Sequence, residues 1–357
     1  MSKKANIVVS ILAVVAIVSL TLWTCAPAPL AAAEKVFNLK AISSWGAGMG
    51  LQDLAEKHYK MIEAYSGGRI KIKSFSAGEI VPGLEVWEAV GKGVADLGNT
   101  CNCYSIGHVY ASSFGCATPG IREVEKITWL KSGGGMDLLR DLLKKRYGVM
   151  TFVSQPDTTE TFLYSKKEIR NMKDLKALKI RSVGLRGDVF KHMGCSVVAL
   201  AGGEIVPALE RGAIDAAEFT SMSVDLPLGI PEAAGYVYIS DVAAGASNPV
   251  LCFNMNTWNK LPDDLKEVVE RASWDAAYAA YGFLLVDTFY QWKIAEEKYK
   301  IKVRMMPKDV SEAIKKGAFE WYEIKAKQDP DFARIWASLK KWHDGYEKYL
   351  PIYELIP

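Results

Sequence analysis

Apolar and polar positions follow two rhythms along this chain. Val36 to Ala41 reads as a strand, Leu51 to Ala64 carries the period of an amphipathic helix, and Ile70-Lys71-Ile72-Lys73-Ser74-Phe75 alternates as a half-buried strand does. The same units recur downstream. Gly148 to Val153 and Leu178 to Val183 read as strands, Gly187 to Met193 as a helix and Val197 to Leu200 as a strand, which predicts an α/β protein with largely parallel pairing. Beyond Pro262 the pattern changes: Leu265, Val268, Val269, Ala272, Ala276, Ala279, Ala280 and Phe283 recur at helical spacing. Continued to Tyr299, this predicts one helix of roughly 35 residues, on the order of 50 Å long, which must brace two halves or reach a second subunit. The C-terminal aromatics Trp321, Tyr322, Trp336, Trp342, Tyr346, Tyr349 and Tyr353 read as packing over those halves.

An internal echo points to two halves built on one plan. Ala77-Gly78-Glu79-Ile80-Val81-Pro82-Gly83-Leu84-Glu85 precedes Gly93-Val94-Ala95-Asp96, and Gly202-Gly203-Glu204-Ile205-Val206-Pro207-Ala208-Leu209-Glu210 precedes Gly212-Ala213-Ile214-Asp215. Glu79 and Glu204 stand 125 residues apart, too far for a solenoid and right for two lobes. In each copy a proline can open a short helix and a later glycine can end it before an aspartate.

Composition narrows the function. Half of the 357 residues are apolar and 24% are charged, so the chain is globular, and its formal net charge of +3 falls to +1 without Lys3 and Lys4. A polyanion binder carries a strong basic excess, which excludes nucleic acid as the expected partner. Lys3 and Lys4, the apolar Ile7 to Trp23 and the small residues Ala31 to Ala33 form an export signal, expected to be cleaved after Ala33. An uncleaved anchor and a lipid-modified Cys25 are the alternatives, and all three place the folded part outside the cytoplasm.

Specific chemistry is sparse. Without the leader, Cys101, Cys103, Cys116, Cys195 and Cys252 remain, an odd number, with a bridge from Cys101 or Cys103 to Cys116 open to them. Cys101-x-Cys103 with His108 lacks a second cluster that would complete a metal site. Gly46-Ala47-Gly48-Met49-Gly50 departs from a dinucleotide fingerprint and reads instead as a loop whose amides face a ligand carboxylate beside Trp45. No nucleophile elbow or zinc-protease motif is present, and His58 and His192 read as structural. A nucleophile pair of Cys195 and His192 is unsupported, since no third residue is indicated to orient the base. Arg181 ends a strand where a cleft would open; it either clamps a carboxylate with two parallel hydrogen bonds or pairs with a surface acid.

At these residues the chain resembles the extracytoplasmic solute-binding proteins of TRAP transporters, which serve ATP-independent carboxylate importers. The resemblance is carried by Leu175 to Arg181, Gly203 to Glu218, Asn254 with Trp258, Leu261 and Pro262, and by Ser66-Gly67-Gly68-Arg69 and Ala77-Gly78-Glu79, over roughly Phe37 to Lys300. It implies a two-lobe periplasmic binding protein-like fold with mixed sheets flanked by helices, a bracing helix, a membrane permease as partner and no enzymatic activity. The expected domains are the signal peptide 1–33, one lobe from 34–157 and 246–290, and a second from 158–245 and 291–357 with the C-terminal helical segment. A binding protein of another importer or of a sensor, and an enzyme on the same fold, are the alternative readings.

Ala201-Gly202-Gly203-Glu204, Glu218-Phe219 and Asp225-Leu226 resemble the branch that binds 2-oxo acids, where an arginine matching Arg181 pairs with the ligand and a metal ion bridges it to a glutamate and a glutamine. Glu160 stands where that glutamine is expected. Two protein carboxylates and a third on the substrate would then face Arg181 alone, which calls for a cation such as Ca²⁺ in preference to Na⁺, held by Glu160, Glu218 and Phe219. The other reading leaves Glu160 protonated or turned to solvent, with no metal. Val242 to Ala246 replaces a bulkier polar turn, so the ligand is expected to be a 2-oxo or 2-hydroxy monocarboxylate bulkier and less polar than pyruvate. Arg181, Trp45, Tyr104, Glu160, Phe219 and Asn254 are the expected substrate contacts. The long helix also offers a route to a homodimer.

Overall fold

The computed structural model describes residues 35–105, 107, 109–158, 160–240 and 247–353. The leader with Cys25, His108 and the Val242 to Ala246 segment therefore lie outside the described residues. Among the described residues, eleven strands form two sheets. The first has the order β2-β1-β3-β10-β4, from β1 (Phe37–Ser43), β2 (Ile70–Phe75), β3 (Leu97–Thr100), β4 (Val149–Val153) and β10 (Val250–Asn254). The second has the order β11-β9-β5-β8-β6-β7, from β5 (Leu163–Ser165), β6 (Lys179–Arg181), β7 (Ser196–Val198), β8 (Ala216–Ala217), β9 (Tyr236–Ile239) and β11 (Lys302–Met305).

Pairing is more mixed than the strand-helix alternation predicts. β1 with β3, β6 with β7 and β8, and β9 with β11 are parallel, but β10 runs antiparallel to β3 and β4, and β5 antiparallel to β8 and β9. The reason is topological. The chain leaves the first sheet after β4 and returns to it after β9, so β5 and β10 enter their sheets directly from the other half, without a crossover helix to reverse them. The two crossing segments are tied together: the Ser154 and Gln155 amides donate to the Pro249 carbonyl at 3.0 and 3.2 Å, and the Asp157 amide to the Ser247 carbonyl at 3.0 Å. β10 is buried along its whole length, as its run Val250-Leu251-Cys252-Phe253 requires.

The sequence echo is a structural one. Asp96 precedes β3, its amide donating to the Lys40 carbonyl at 2.9 Å while its carboxylate accepts the Lys40 amide at 2.8 Å. Asp215 precedes β8 and does the same to Lys179, at 2.8 and 3.0 Å. Each aspartate thus staples one parallel strand pair. Gly93 and Gly212, at φ +78° and +68°, end the two preceding helices in the left-handed region where a side chain is disfavoured.

The predicted long helix spans Asp263–Glu297, about 52 Å at 1.5 Å per residue. Its buried stripe Leu265, Val269, Ala272, Ala276, Ala280 and Leu284 lies against helix Gly50–Tyr65 and β4 of the first half and helix Met222–Asp225 of the second, so it braces both. The helix Lys308–Ala326 packs on helix Gly184–His192 of the second half. The last helix, Pro330–Tyr353, lies against helix Lys308–Ala326 and also against helices Glu123–Ser132 and Gly135–Tyr147 of the first half. Its aromatic rings dictate this: Trp336 stacks on Phe114 at 5.8 Å between centroids and meets Tyr322 at 4.8 Å, in one buried cluster. Among the described residues no helix is long and apolar enough to cross a membrane.

Candidate functional site

A narrow, largely closed cavity lies between the two sheets. Trp45, Leu51, Cys101, Cys103, Tyr104, Cys116 and Ala117 line it from the first half, Arg181, Val183, Arg186, Glu218, Phe219 and Thr220 from the second, and Ser247 and Pro249 from a crossing segment. Its walls are mostly apolar or aromatic, with charge confined to one side, the profile of a small-molecule site.

Arg181 ends β6 and is buried, at 1% exposure. Its Nε and Nη2 donate to the Leu200 carbonyl at 3.0 and 2.7 Å, and Nη1 to the Glu218 carbonyl at 2.7 Å. These bonds use three of a guanidinium's five N–H groups and leave one on each terminal nitrogen. Nη1 also stands 3.6 Å from Glu218 Oε1, an ionic contact longer than a hydrogen bond. The alternative of a strand-end surface pair is excluded, because the side chain turns inward and packs over the Phe219 ring at 5.5 Å. Glu218 follows β8, and its Oε1 accepts the Ser182 hydroxyl at 2.8 Å and the Val183 amide at 3.0 Å. The loop after it is fixed by buried Asp225, which accepts from the Thr220 and Tyr164 hydroxyls at 2.7 Å each; burial pushes this carboxyl up to about 7.

Trp45 donates its ring N–H to Asn99 Oδ1 at 2.7 Å and meets Tyr104 ring to ring at 5.9 Å, so both expected aromatics form the opposite wall. Two amides of the glycine loop beside Trp45 are engaged within the loop: the Gly46 amide points at Met49 Sδ and the Met49 amide donates to the Gly46 carbonyl. Three thiols complete this wall, with Cys101 Sγ 2.9 Å from Cys116 Sγ and 3.0 Å from Cys103 Sγ.

Two expectations change here. Asn254 lies away from the cavity and caps helix Met255–Lys260: its Oδ1 accepts the Asn256 amide at 2.8 Å, and its Nδ2 donates to the Val90 carbonyl at 2.8 Å. Both polar atoms of that side chain are engaged with backbone, so Asn254 is a structural residue. Glu160 is neither on the cavity wall nor turned to solvent. It is fully buried one step behind, its Oε1 accepting the Ser247 amide at 2.7 Å and its Oε2 accepting Arg186 Nη2 at 2.8 Å. Burial pushes the Glu160 carboxyl up to about 8, while the Arg186 charge pulls it down.

Arg186 is the residue that sequence reasoning missed. It sits in the first turn of helix Gly184–His192, 1% exposed, with its guanidinium between Glu160 at 2.8 Å and Glu218 at 3.4 Å. The signal was the charge count itself, which demanded a second positive group near Glu160 and Glu218, and Arg186 stands five residues after Arg181 at the same strand-to-helix turn.

Residues 43–328 match the model of the family described as bacterial extracellular solute-binding protein, family 7. A monocarboxylate 2-oxoacid-binding periplasmic protein of Nostoc sp. is 32% identical over 304 residues, which cover 84% of this chain and 82% of that one. A TRAP periplasmic solute-binding protein of Pseudoalteromonas atlantica, solved with bound sodium and pyruvate, superposes with a TM-score of 0.85 at 27% identity, covering 90% of this chain and 98% of that one. A counterpart from Colwellia psychrerythraea, solved with calcium and pyruvate, gives 0.84 at 28% identity with the same coverage. In these two relatives, then, a metal ion accompanies the carboxylate.

Proposed function

Because the chain belongs to family 7 of the bacterial extracellular solute-binding proteins, transport receptors and not enzymes, we propose that it captures a small organic monocarboxylate, a 2-oxo or 2-hydroxy acid, between its two lobes and delivers it to a TRAP-type membrane permease. The observation that carries this reading is Arg181, buried on the cavity wall with one N–H left on each terminal nitrogen. A carboxylate there gains charge-assisted bonds in a site screened from water. The opposite wall of Trp45, Leu51 and Tyr104 favours an apolar tail on the acid, and Phe219 backs the guanidinium. Closure follows from contacts that exist only when both halves face the ligand, which shifts the population towards the closed form.

In this account residues 34–157 with 246–290 and 158–245 with 291–329 form the lobes, with the Pro330–Tyr353 helix buttressing the first. The protein acts in the periplasm after loss of residues 1–33. The long helix exposes Tyr278, Phe283, Leu285, Val286, Phe289 and Tyr290, an apolar stripe suited to the same helix of a second copy.

The test is a thermal-shift screen against pyruvate, longer and branched 2-oxo acids, their 2-hydroxy counterparts and the matching neutral amides. A ligand present at 100 times its Kd stabilises the fold by about 2.7 kcal/mol, which raises Tm by several degrees. The proposal expects shifts with the acids and none with the amides; shifts indifferent to the carboxylate would refute it.

A further inference from the structure

The sequence predicts that two acids of this site share a metal ion with the ligand. The residues do not fit one. A guanidinium already stands between the two acids: the two terminal nitrogens of Arg186 reach Glu160 Oε2 at 2.8 Å and Glu218 Oε2 at 3.4 Å, while Glu160 Oε1 accepts the Ser247 amide and Glu218 Oε1 accepts from Ser182 and Val183. An ion coordinated by both acids would have to displace a guanidinium that is itself 1% exposed.

We propose that Arg186 is a built-in substitute for the bridging cation, so that this receptor binds its carboxylate without sodium or calcium. The inference rests on the carboxylate-binding reading above. A guanidinium can do the electrostatic work because it is permanently charged and planar, and it presents two nitrogens to two acids at once. Charge balance agrees. With Arg181 as the lone cation, Glu218 and a ligand carboxylate would already leave one uncompensated negative charge in the cavity, and Glu160 adds a second when it is ionised beside Arg186. Arg186 removes one. Lys126, also fully buried, lies in the field of Glu160 and Arg186, but burial pushes its ammonium down to about 7 and its Nζ donates to the Thr118 hydroxyl. Asp157, the further acid whose field reaches Glu160, is held by the Thr158 and Ser221 amides at 2.8 and 3.1 Å.

The glutamate at position 160 is then explained as the partner of Arg186. Where a metal ion does the bridging, a neutral glutamine suffices; where a fixed guanidinium does it, a second carboxylate anchors the side chain.

Calorimetric titration of the purified protein with pyruvate and with 2-oxo acids carrying longer tails, in sodium-free buffer alone, with a chelator or with added calcium, tests this. The proposal expects affinity to agree within about twofold across the three conditions. The double variant Glu160→Gln/Arg186→Ala removes one charge of each sign, so the buried net charge is kept; it should bind the same acid weakly in chelator and at least about tenfold better with calcium. The single variant Glu160→Gln, which keeps Arg186, should remain indifferent to calcium. Loss of wild-type binding on chelation, restored by calcium or sodium, would overturn the proposal while leaving the carboxylate receptor intact. Failure to bind any acid under every condition would overturn the receptor reading, and this inference with it.

Discussion

Gly202 lies directly beneath the Phe219 ring: a methyl carbon at position 202 would stand 2.3 Å from Phe219 Cζ. The glycine of the Ala201-Gly202-Gly203-Glu204 segment is therefore a cradle for the ring on which the Arg181 guanidinium rests. Gly202→Ala should displace Phe219, destabilise the fold by about 1–3 kcal/mol and weaken acid binding, as urea denaturation and calorimetry will report. Unchanged stability and affinity would show that the ring moves without consequence.

Asn254 provides a contrast between structure and site. Asn254→Ala removes a helix cap and the bonds to the Val90 and Gly91 carbonyls, so stability should fall by about 0.5–2 kcal/mol while ligand affinity holds. The same two measurements check it. An affinity loss at unchanged stability would restore Asn254 to the binding site.

His58 is buried between the Ser154 and Ser273 hydroxyls, at 2.8 Å from Nδ1 and 3.0 Å from Nε2, and burial holds it neutral, lowering its pKa to about 3. The unfolded chain takes up that proton near its ordinary pKa of about 6.5, so the stability due to neutral His58 is intact above that pH and is lost as pH falls towards 3. Between these limits the wild type should lose up to about 1.4 kcal/mol per pH unit more than His58→Gln, measured by urea denaturation across the range. Parallel pH profiles would contradict this.

The thiols on the cavity wall give a further outcome. Cys101 holds its sulfur 2.9 Å from that of Cys116 and 3.0 Å from that of Cys103, so a mild thiol oxidant should join it to one of these two neighbours within the same chain, as peptide mass spectrometry will show. An exclusively intermolecular product would contradict that geometry.

What the sequence disclosed and what it withheld follow a physical line. The Ile70–Phe75 strand and the 35-residue helix are legible because their periodicity is local and long, and the paired aspartates Asp96 and Asp215 are legible because the motif repeats. Arg181 is legible as a strand-end charge in a run of apolar residues. Antiparallel entry of β5 and β10 is hidden, since strand direction depends on which sheet the chain crosses into. Asn254 misleads because an asparagine that caps a helix and one that orients a ligand look alike until its partners are known. Arg186 escapes because its role depends on two acids, 26 residues before it and 32 after, that only the fold brings to its guanidinium.

The central claim is that Arg181 grips the carboxylate of the captured acid. Calorimetry comparing wild type with Arg181→Ala and Arg181→Lys, on the acid that gives the largest thermal shift, tests it most directly. The account predicts a loss of about 2–5 kcal/mol in binding for alanine, with lysine recovering only part because it cannot offer two parallel donors. Near wild-type affinity in Arg181→Ala, with its fold intact, would contradict it.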